Sequence, residues 1–205
     1  MAQPTNTFDT YDSVGEREDL SDVIYSISPT DTPFLSSAAK TKATAVLHEW
    51  QTDALAAAVT TNAVIEGDEA TLDASTATTR LSNSCQIMDK TVVITGTQES
   101  VDKAGRASEL AYQIAKKAKE LKRDMEANLT GSIAEVTGSA TAARKMGTLG
   151  AWVITNDDKA SDGTTGAGIG NTKRTDGTAR AFTEASLKTV IKSVWNAGGD
   201  PSMVM

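Results

Sequence analysis

Between residues 107 and 129, apolar side chains recur at Ala107, Leu110, Ala111, Ile114, Ala118, Leu121, Met125 and Leu129. These spacings of three and four predict one long amphipathic helix. Its other face carries Lys116, Lys117, Lys119, Glu120, Lys122, Arg123, Asp124 and Glu126, and Gly131-Ser132 ends it. At the helical rise this is a rod of about 35 Å, and its apolar side must be covered by something. The rest of the chain offers little bulk for that. Only 39% of the 205 residues are hydrophobic and 4% aromatic, with Ala, Thr and Ser abundant. Such a composition suits thin or extended elements better than a thick core, so part of the burial is expected from partners. The length fits one domain, or one body with extended arms.

Upstream lie two β-rich runs. Residues 43–52 (ATAVLHEWQT) place Val46, His48 and Trp50 on one face, and residues 84–95 contain Ile87, Thr91, Val92, Val93, Ile94 and Thr95. Between them residues 53–80 are small and polar, with a turn at Glu66-Gly67-Asp68-Glu69. The pattern predicts a long two-stranded hairpin with an acidic outer loop, marginal in isolation because its faces and edges meet water. The remaining elements are shorter. Residues 1–17 read as an arm ordered by contact, with Phe8 and Tyr11 as its aromatics. A helix is expected over 18–27, stopped by Pro29, and a rigid corner follows at Ser28-Pro-Thr-Asp-Thr-Pro-Phe34. A helical turn is expected over 98–104 with Thr97 as cap, a strand over 148–155, and a Gly/Asp/Thr-rich flexible loop over 156–181. Thr183 caps a last helix holding Leu187, Val190, Ile191, Val194 and Trp195, closed by Gly198-Gly199. The fold class is α+β.

Charge is unevenly placed. Residues 1–80 carry 13 acidic against 4 basic side chains, residues 81–145 carry 8 against 10, and the remainder 6 against 6. An acidic front segment can therefore meet a mildly basic middle segment of another copy. The overall charge of −7 argues against a general nucleic-acid binder. The N-terminus has neither a basic start nor an apolar run, and no stretch reaches the ~18 apolar residues of a membrane span, so a cytoplasmic chain is expected.

Catalytic and ligand-binding patterns are weak. His48 beside Glu49 lacks a nucleophile in a recognisable motif, and Cys85 is alone, which leaves no disulfide within one chain. Glu66, Asp68 and Glu69, or Asp157, Asp158 and Asp162-Gly163, offer carboxylates, but the latter lack the alternating ligands and closing Glu of a calcium loop. Glycines 166, 168 and 170 lack the strand, helix and Gly-Lys-Ser/Thr ending of a phosphate cradle. Neither catalytic residues, cofactor nor metal is assigned. The basic helix face is interrupted by acids and reads as a solvated or docking strip. Candidate contacts between subunits are Phe8, Tyr11, Phe34, Trp50, Glu66, Asp68, Glu69, Lys116, Lys119, Lys122 and Arg123.

Several segments, in this order, resemble the major capsid proteins of tailed bacteriophages, which have the Hong Kong 97-type fold: Arg17-Glu-Asp-Leu-Ser-Asp-Val-Ile-Tyr25, Ser28-Pro-Thr-Asp-Thr-Pro-Phe34, His48-Glu-Trp-Gln-Thr-Asp53, Gly96-Thr-Gln-Glu-Ser-Val-Asp-Lys-Ala-Gly-Arg106, Glu109-Leu-Ala-Tyr112 and Lys119-Glu-Leu-Lys-Arg-Asp-Met-Glu126. The resemblance continues weakly from Trp152 to Pro201. It implies an N-terminal arm over 1–42, an extended hairpin loop over 43–96, a peripheral domain over 97–182 with a spine helix at 106–130, and the start of an axial domain from 183. That axial domain is expected to be cut short.

The resemblance further implies self-assembly into pentamers and hexamers of an icosahedral shell around DNA, each hairpin lying over a neighbour's peripheral domain. DNA contact would be non-specific and no membrane is involved; decoration, portal and scaffolding proteins are the further partners implied. The place is the virion, assembled in a bacterial cytoplasm. Some similar proteins form a covalent Lys–Asn bond from a hairpin lysine. Residues 53–79 contain no Lys, so noncovalent stabilisation is expected. The start at Met1 without an obvious leader gives no support for removal of a scaffolding segment. The rival readings are a tail tube or sheath subunit, whose contacts would build open tubes, and a small hydrolase using His48.

Overall fold

A computed structural model describes Thr7, Val14 and residues 22–204, which fall into two units. One takes in the described residues up to Thr30 together with Lys90–Glu120; the other comprises Asp31–Asp89 and Leu121–Met205. Seven elements follow one another: α1 (Pro33–Ser37), β1 (Leu47–Thr52), β2 (Thr79–Ser84), α2 (Gly96–Ser100), α3 (Glu109–Thr130), α4 (Leu149–Trp152) and α5 (Glu184–Asn196). The mixture of helices with a small antiparallel sheet is α+β.

In the first unit, polar side chains close the helix ends that the apolar pattern alone leaves open. Thr95 caps α2 by accepting from Gln98 N at 3.4 Å, so the helix begins two residues before the expected start at Gln98 and ends at Ser100. The Lys103 ammonium then donates to the carbonyl oxygens of Gln98, Glu99 and Val101 at 3.1, 2.8 and 2.9 Å, satisfying the helix C-terminus. The Glu99 carboxylate reaches across to the start of α3, accepting from the amides of Glu109 at 3.0 Å and Leu110 at 3.2 Å. The Ser108 hydroxyl, joined by these amides, holds the Glu99 carboxyl below its ordinary range. Glu109 is buried and held low in the same direction, chiefly by the Gln113 amide and then by Arg106.

The helix expected over 18–27 is not seen where it can be examined: 23–27 carry no regular structure, and residues 18–21 lie outside the described residues. The Asp22 carboxylate accepts from Gly105 N.

The second unit is built around small residues. Gly147, Thr148, Gly150, Ala151 and Gly170 are buried, and a Cβ added at Gly147 would stand 2.7 Å from the Gly170 carbonyl oxygen. Only glycine permits that approach of two backbones. Thr148 ties the cluster to the end of α3, its hydroxyl donating to Gly131 O at 2.8 Å and accepting from Ile133 N at 2.8 Å. These bonds, with Gly150 N to Gly131 O at 3.1 Å, wind residues 149–152 into one helical turn rather than the expected strand. The β-prone Val153 and Ile154 are overruled by backbone partners that a strand could not reach.

β1 and β2 pair antiparallel, Leu47 opposite Ser84 and Thr52 opposite Thr79. The returning strand therefore lies earlier than the expected run at 84–95. Polar pairing explains the register. Arg80 forms an ion pair with Glu49, Thr78 donates to Gln51 at 3.0 Å, and the Asn83 side chain docks the strand end, donating to Gly147 O at 2.9 Å and accepting from Gly147 N at 2.8 Å. Ser84 donates to Glu135 at 2.6 Å, and Trp50 lies against Trp152 with ring centroids 5.2 Å apart.

The segment read as a flexible loop carries its own bonds. Thr164 and Thr175 form an isolated antiparallel bridge, Asp162 accepts from Thr178 N at 3.0 Å and from its hydroxyl at 2.7 Å, and Asp158 pairs with Arg180 at 2.6 Å. Helix α5 starts at the Thr183 cap read from the sequence, the hydroxyl accepting from Ser186 N at 3.2 Å.

Replacing Asn83 by Ala leaves Gly147 N without its acceptor and is expected to destabilise the second unit by about 1–3 kcal/mol, measured by chemical denaturation. Because the folded-state pKa values of Glu99 and Glu109 are lowered, their stabilisation is present above the ordinary carboxylate range and is lost as pH falls through the lowered values. In Glu99→Gln, the protection factors of the Glu109 and Leu110 amides at neutral pH are expected to fall about two- to fivefold and to lose most of their acid dependence, read by hydrogen exchange.

Candidate assembly surface

Beyond the β1–β2 pairing, the outer hairpin extends from residue 53 to 78 with every residue exposed. Its apolar side chains find no cover among the described residues: Leu55 is 100% exposed, Leu72 99%, Val64 84% and Ile65 80%. At its middle, Asp68 N donates to Ile65 O at 3.1 Å and Gly67 takes a positive φ of 86°, forming the turn read from the sequence. Glu66, Asp68 and Glu69 are all exposed there. Val64 and Ile65 thus stand exposed immediately before the charged turn.

The base of the hairpin is held differently. Trp50 is half-buried on Trp152, while Asn83 and Ser84 spend their polar groups on Gly147 and Glu135. The result is an anchored root carrying an uncovered tip. Phe34 is also half-buried, and its segment is clamped: the two carboxylate oxygens of Glu126 accept from Phe34 N and Leu35 N, each at 2.8 Å. Pro33 at the first position of α1 leaves these amides as the open donors of that short helix.

On α3, Lys116, Lys119, Lys122 and Arg123 are all exposed, as read from the amphipathic pattern. Lys117 pairs with Glu120 at 2.6 Å. The Glu120 carboxyl is held below its ordinary range first by that hydrogen bond and further by the nearby charges of Lys116 and Lys90, so three lysines gather at one acid. Phe8 and Tyr11 lie outside the described residues.

The residues weighed for chemistry are engaged elsewhere. His48 is exposed, with the Trp50 ring 5.9 Å away. Cys85 is half-buried and its thiol donates to Ala45 O at 3.4 Å. Asp157, Asp158 and Asp162 are each taken up by Lys159, Arg180 and Thr178. Gly168 N is spent on Ala151 O at 3.2 Å. Among the described residues no group of three or more His, Cys, Asp or Glu side chains could hold a metal ion, and no helix is long and apolar enough to cross a membrane.

Sequence reasoning missed Asn83, Trp152 and Glu126 as the residues that fix the hairpin root and α1. Asn83 had one readable signal, an amide at the end of a strand, where β propensity disfavours it. Glu126 had none, since it sits within the charged face of α3.

Residues 3–205 match the family described as SU10 major capsid protein. The major capsid protein of Escherichia phage Phieco32 is 40% identical over 126 residues, which are 62% of this chain and 36% of that protein. The chain thus aligns with only about a third of that relative's length. With the match covering nearly all of its residues, and with an anchored hairpin and a basic helix as its exposed elements, the chain belongs to the SU10 major capsid protein family.

Proposed function

We propose that this chain is the shell-forming part of a phage head protein, assembling with copies of itself into an icosahedral capsid that encloses DNA, with no catalytic step of its own. The observation that carries this reading is the outer hairpin, whose exposed Leu55, Val64, Ile65 and Leu72 have no cover among the described residues while its root is pinned at Gly147. Burying such side chains returns about 25 cal/mol per Å², a gain that a partner's surface would supply. The Phieco32 relative is named a major capsid protein, which fits the same role.

In this reading the chain has the Hong Kong 97-type fold, with residues 1–42 as arm, 43–96 as hairpin loop, 106–130 as spine within a peripheral domain over 97–182, and 183–205 opening the axial domain. Pentamers and hexamers form when the acidic hairpin tip of one subunit, with Glu66, Asp68 and Glu69, settles on the basic strip of Lys116, Lys119, Lys122 and Arg123 of the next. Phe34 and Trp50 then act from within the subunit by fixing the arm and the hairpin root, and Phe8 and Tyr11 make arm contacts. Decoration, portal or scaffolding proteins join the shell in the virion, after assembly in the host cytoplasm.

The full-length protein is expected to form closed particles or capsomers visible by electron microscopy. Changing Glu66, Asp68 and Glu69 together to Lys is expected to raise the concentration needed for assembly at least tenfold at low salt, with a smaller effect at high salt. Open tubes would instead favour a tail tube or sheath subunit, and a monomer at every concentration and salt would refute the shell reading.

A further inference from the structure

Thr91, Val92, Val93 and Ile94 form an extended segment with exposed and half-buried residues alternating, Val93 being 88% exposed. This is the period of a strand, yet the backbone amides and carbonyls of these four residues have no hydrogen-bond partner among the described residues. The segment borders an open groove of about 510 Å³ whose other wall is Gln98 with Glu109, Gln113 and Lys117 of α3. Unpaired backbone along a β-prone run is a template for an added strand, because each group gains a partner when one is laid beside it.

A second segment has the complementary defect. Ala63, Val64 and Ile65 are extended and exposed, and their backbone bonds among the described residues amount to the one from Asp68 N to Ile65 O that closes the turn. The acidic Glu66, Asp68 and Glu69 follow at once. Thirteen residues separate the end of β1 from Glu66, enough extended chain to reach up to about 45 Å from the hairpin root. At the Thr91 end of the groove, Lys90, Lys116 and Lys117 gather around Glu120.

We propose that residues 63–66 of one copy add as an antiparallel strand to residues 91–94 of a second copy, Val64 opposite Val93, with the acidic turn seated on the Lys90, Lys116 and Lys117 cluster. The proposal rests on the shell reading and specifies its contact. The antiparallel direction follows from charge, since it alone brings Glu66 and Asp68 to the lysine end while Ala63 lies beside Ile94. Opposed residues share a face of the sheet, so Val64 and Val93 come within about 6 Å.

Two variants test it, both in a Cys85→Ser background whose hydroxyl still donates to Ala45 O. One carries Val64→Cys and the other Val93→Cys, both at exposed positions. The two are purified apart, mixed under assembly conditions and treated with a short bismaleimide. The expected result is a cross-linked dimer containing one chain of each kind, in at least tenfold greater yield than when Leu72→Cys replaces Val64→Cys. Adding Glu66→Lys, Asp68→Lys and Glu69→Lys to the Val64→Cys chain is expected to lower that yield at least fivefold. Assembled particles with equal yields from the Val64 and Leu72 positions overturn the strand pairing and leave the shell reading standing. Absence of any assembled species overturns both.

Discussion

The bond pair between the Asn83 side chain and the backbone of Gly147 governs much of what the second unit can do. It fastens β2 to a cluster where backbone meets backbone, made possible by glycines at 147 and 170 that leave no room for a Cβ. Trp50 on Trp152 adds apolar contact beside it, and Ser84 on Glu135 adds a further polar tie. A two-stranded ribbon is not independently stable, so a hairpin that projects far from its root needs such a fixture. With the root fixed, the tip stands exposed over residues 53–78.

The same economy runs through the rest of the chain. With few large apolar residues, order comes from side chains that satisfy backbone groups: Glu126 on α1, Glu99 on α3, Lys103 on α2, Thr148 on the end of α3, and Asp162 within the long loop. Each satisfies a donor or acceptor that would otherwise depend on water. What these bonds do not do is cover apolar surface. That leaves Leu55, Leu72 and Val93 in water, along with Trp195, which is 66% exposed on α5. A chain organised this way holds its local structure by polar bonds and leaves apolar surface uncovered among the described residues.

The legible parts of the fold were those written in local pattern. The amphipathic repeat located α3 to within two residues at its start, Thr183 marked α5, and Glu66-Gly67-Asp68 marked the turn. Parts decided by tertiary partners were not legible. Residues 84–95 look more strand-like than 79–84, yet β2 forms at Thr79–Ser84 because Asn83 and Arg80 have partners there. Residues 148–155 look like a strand, yet Thr148 draws them into a helical turn through bonds to residues seventeen and fifteen positions away. The exposed charges of the hairpin turn and of α3 were readable from the sequence, whereas the clamp of Glu126 on Phe34 and Leu35 spans more than ninety residues and leaves no local trace.

In the proposed shell, the hairpin root is ordered within one chain and its tip is ordered by a second copy. Hydrogen exchange on the dispersed chain and on the assembled particle separates the two. Slow exchange is expected at Val136, Thr148 and Ala151 in both states, because their amides bond within the chain. Fast exchange is expected across residues 54–65 when dispersed, slowing at least tenfold on assembly. Protection of 54–65 already present in the dispersed chain, or no gain of protection there in the particle, would overturn this division of roles.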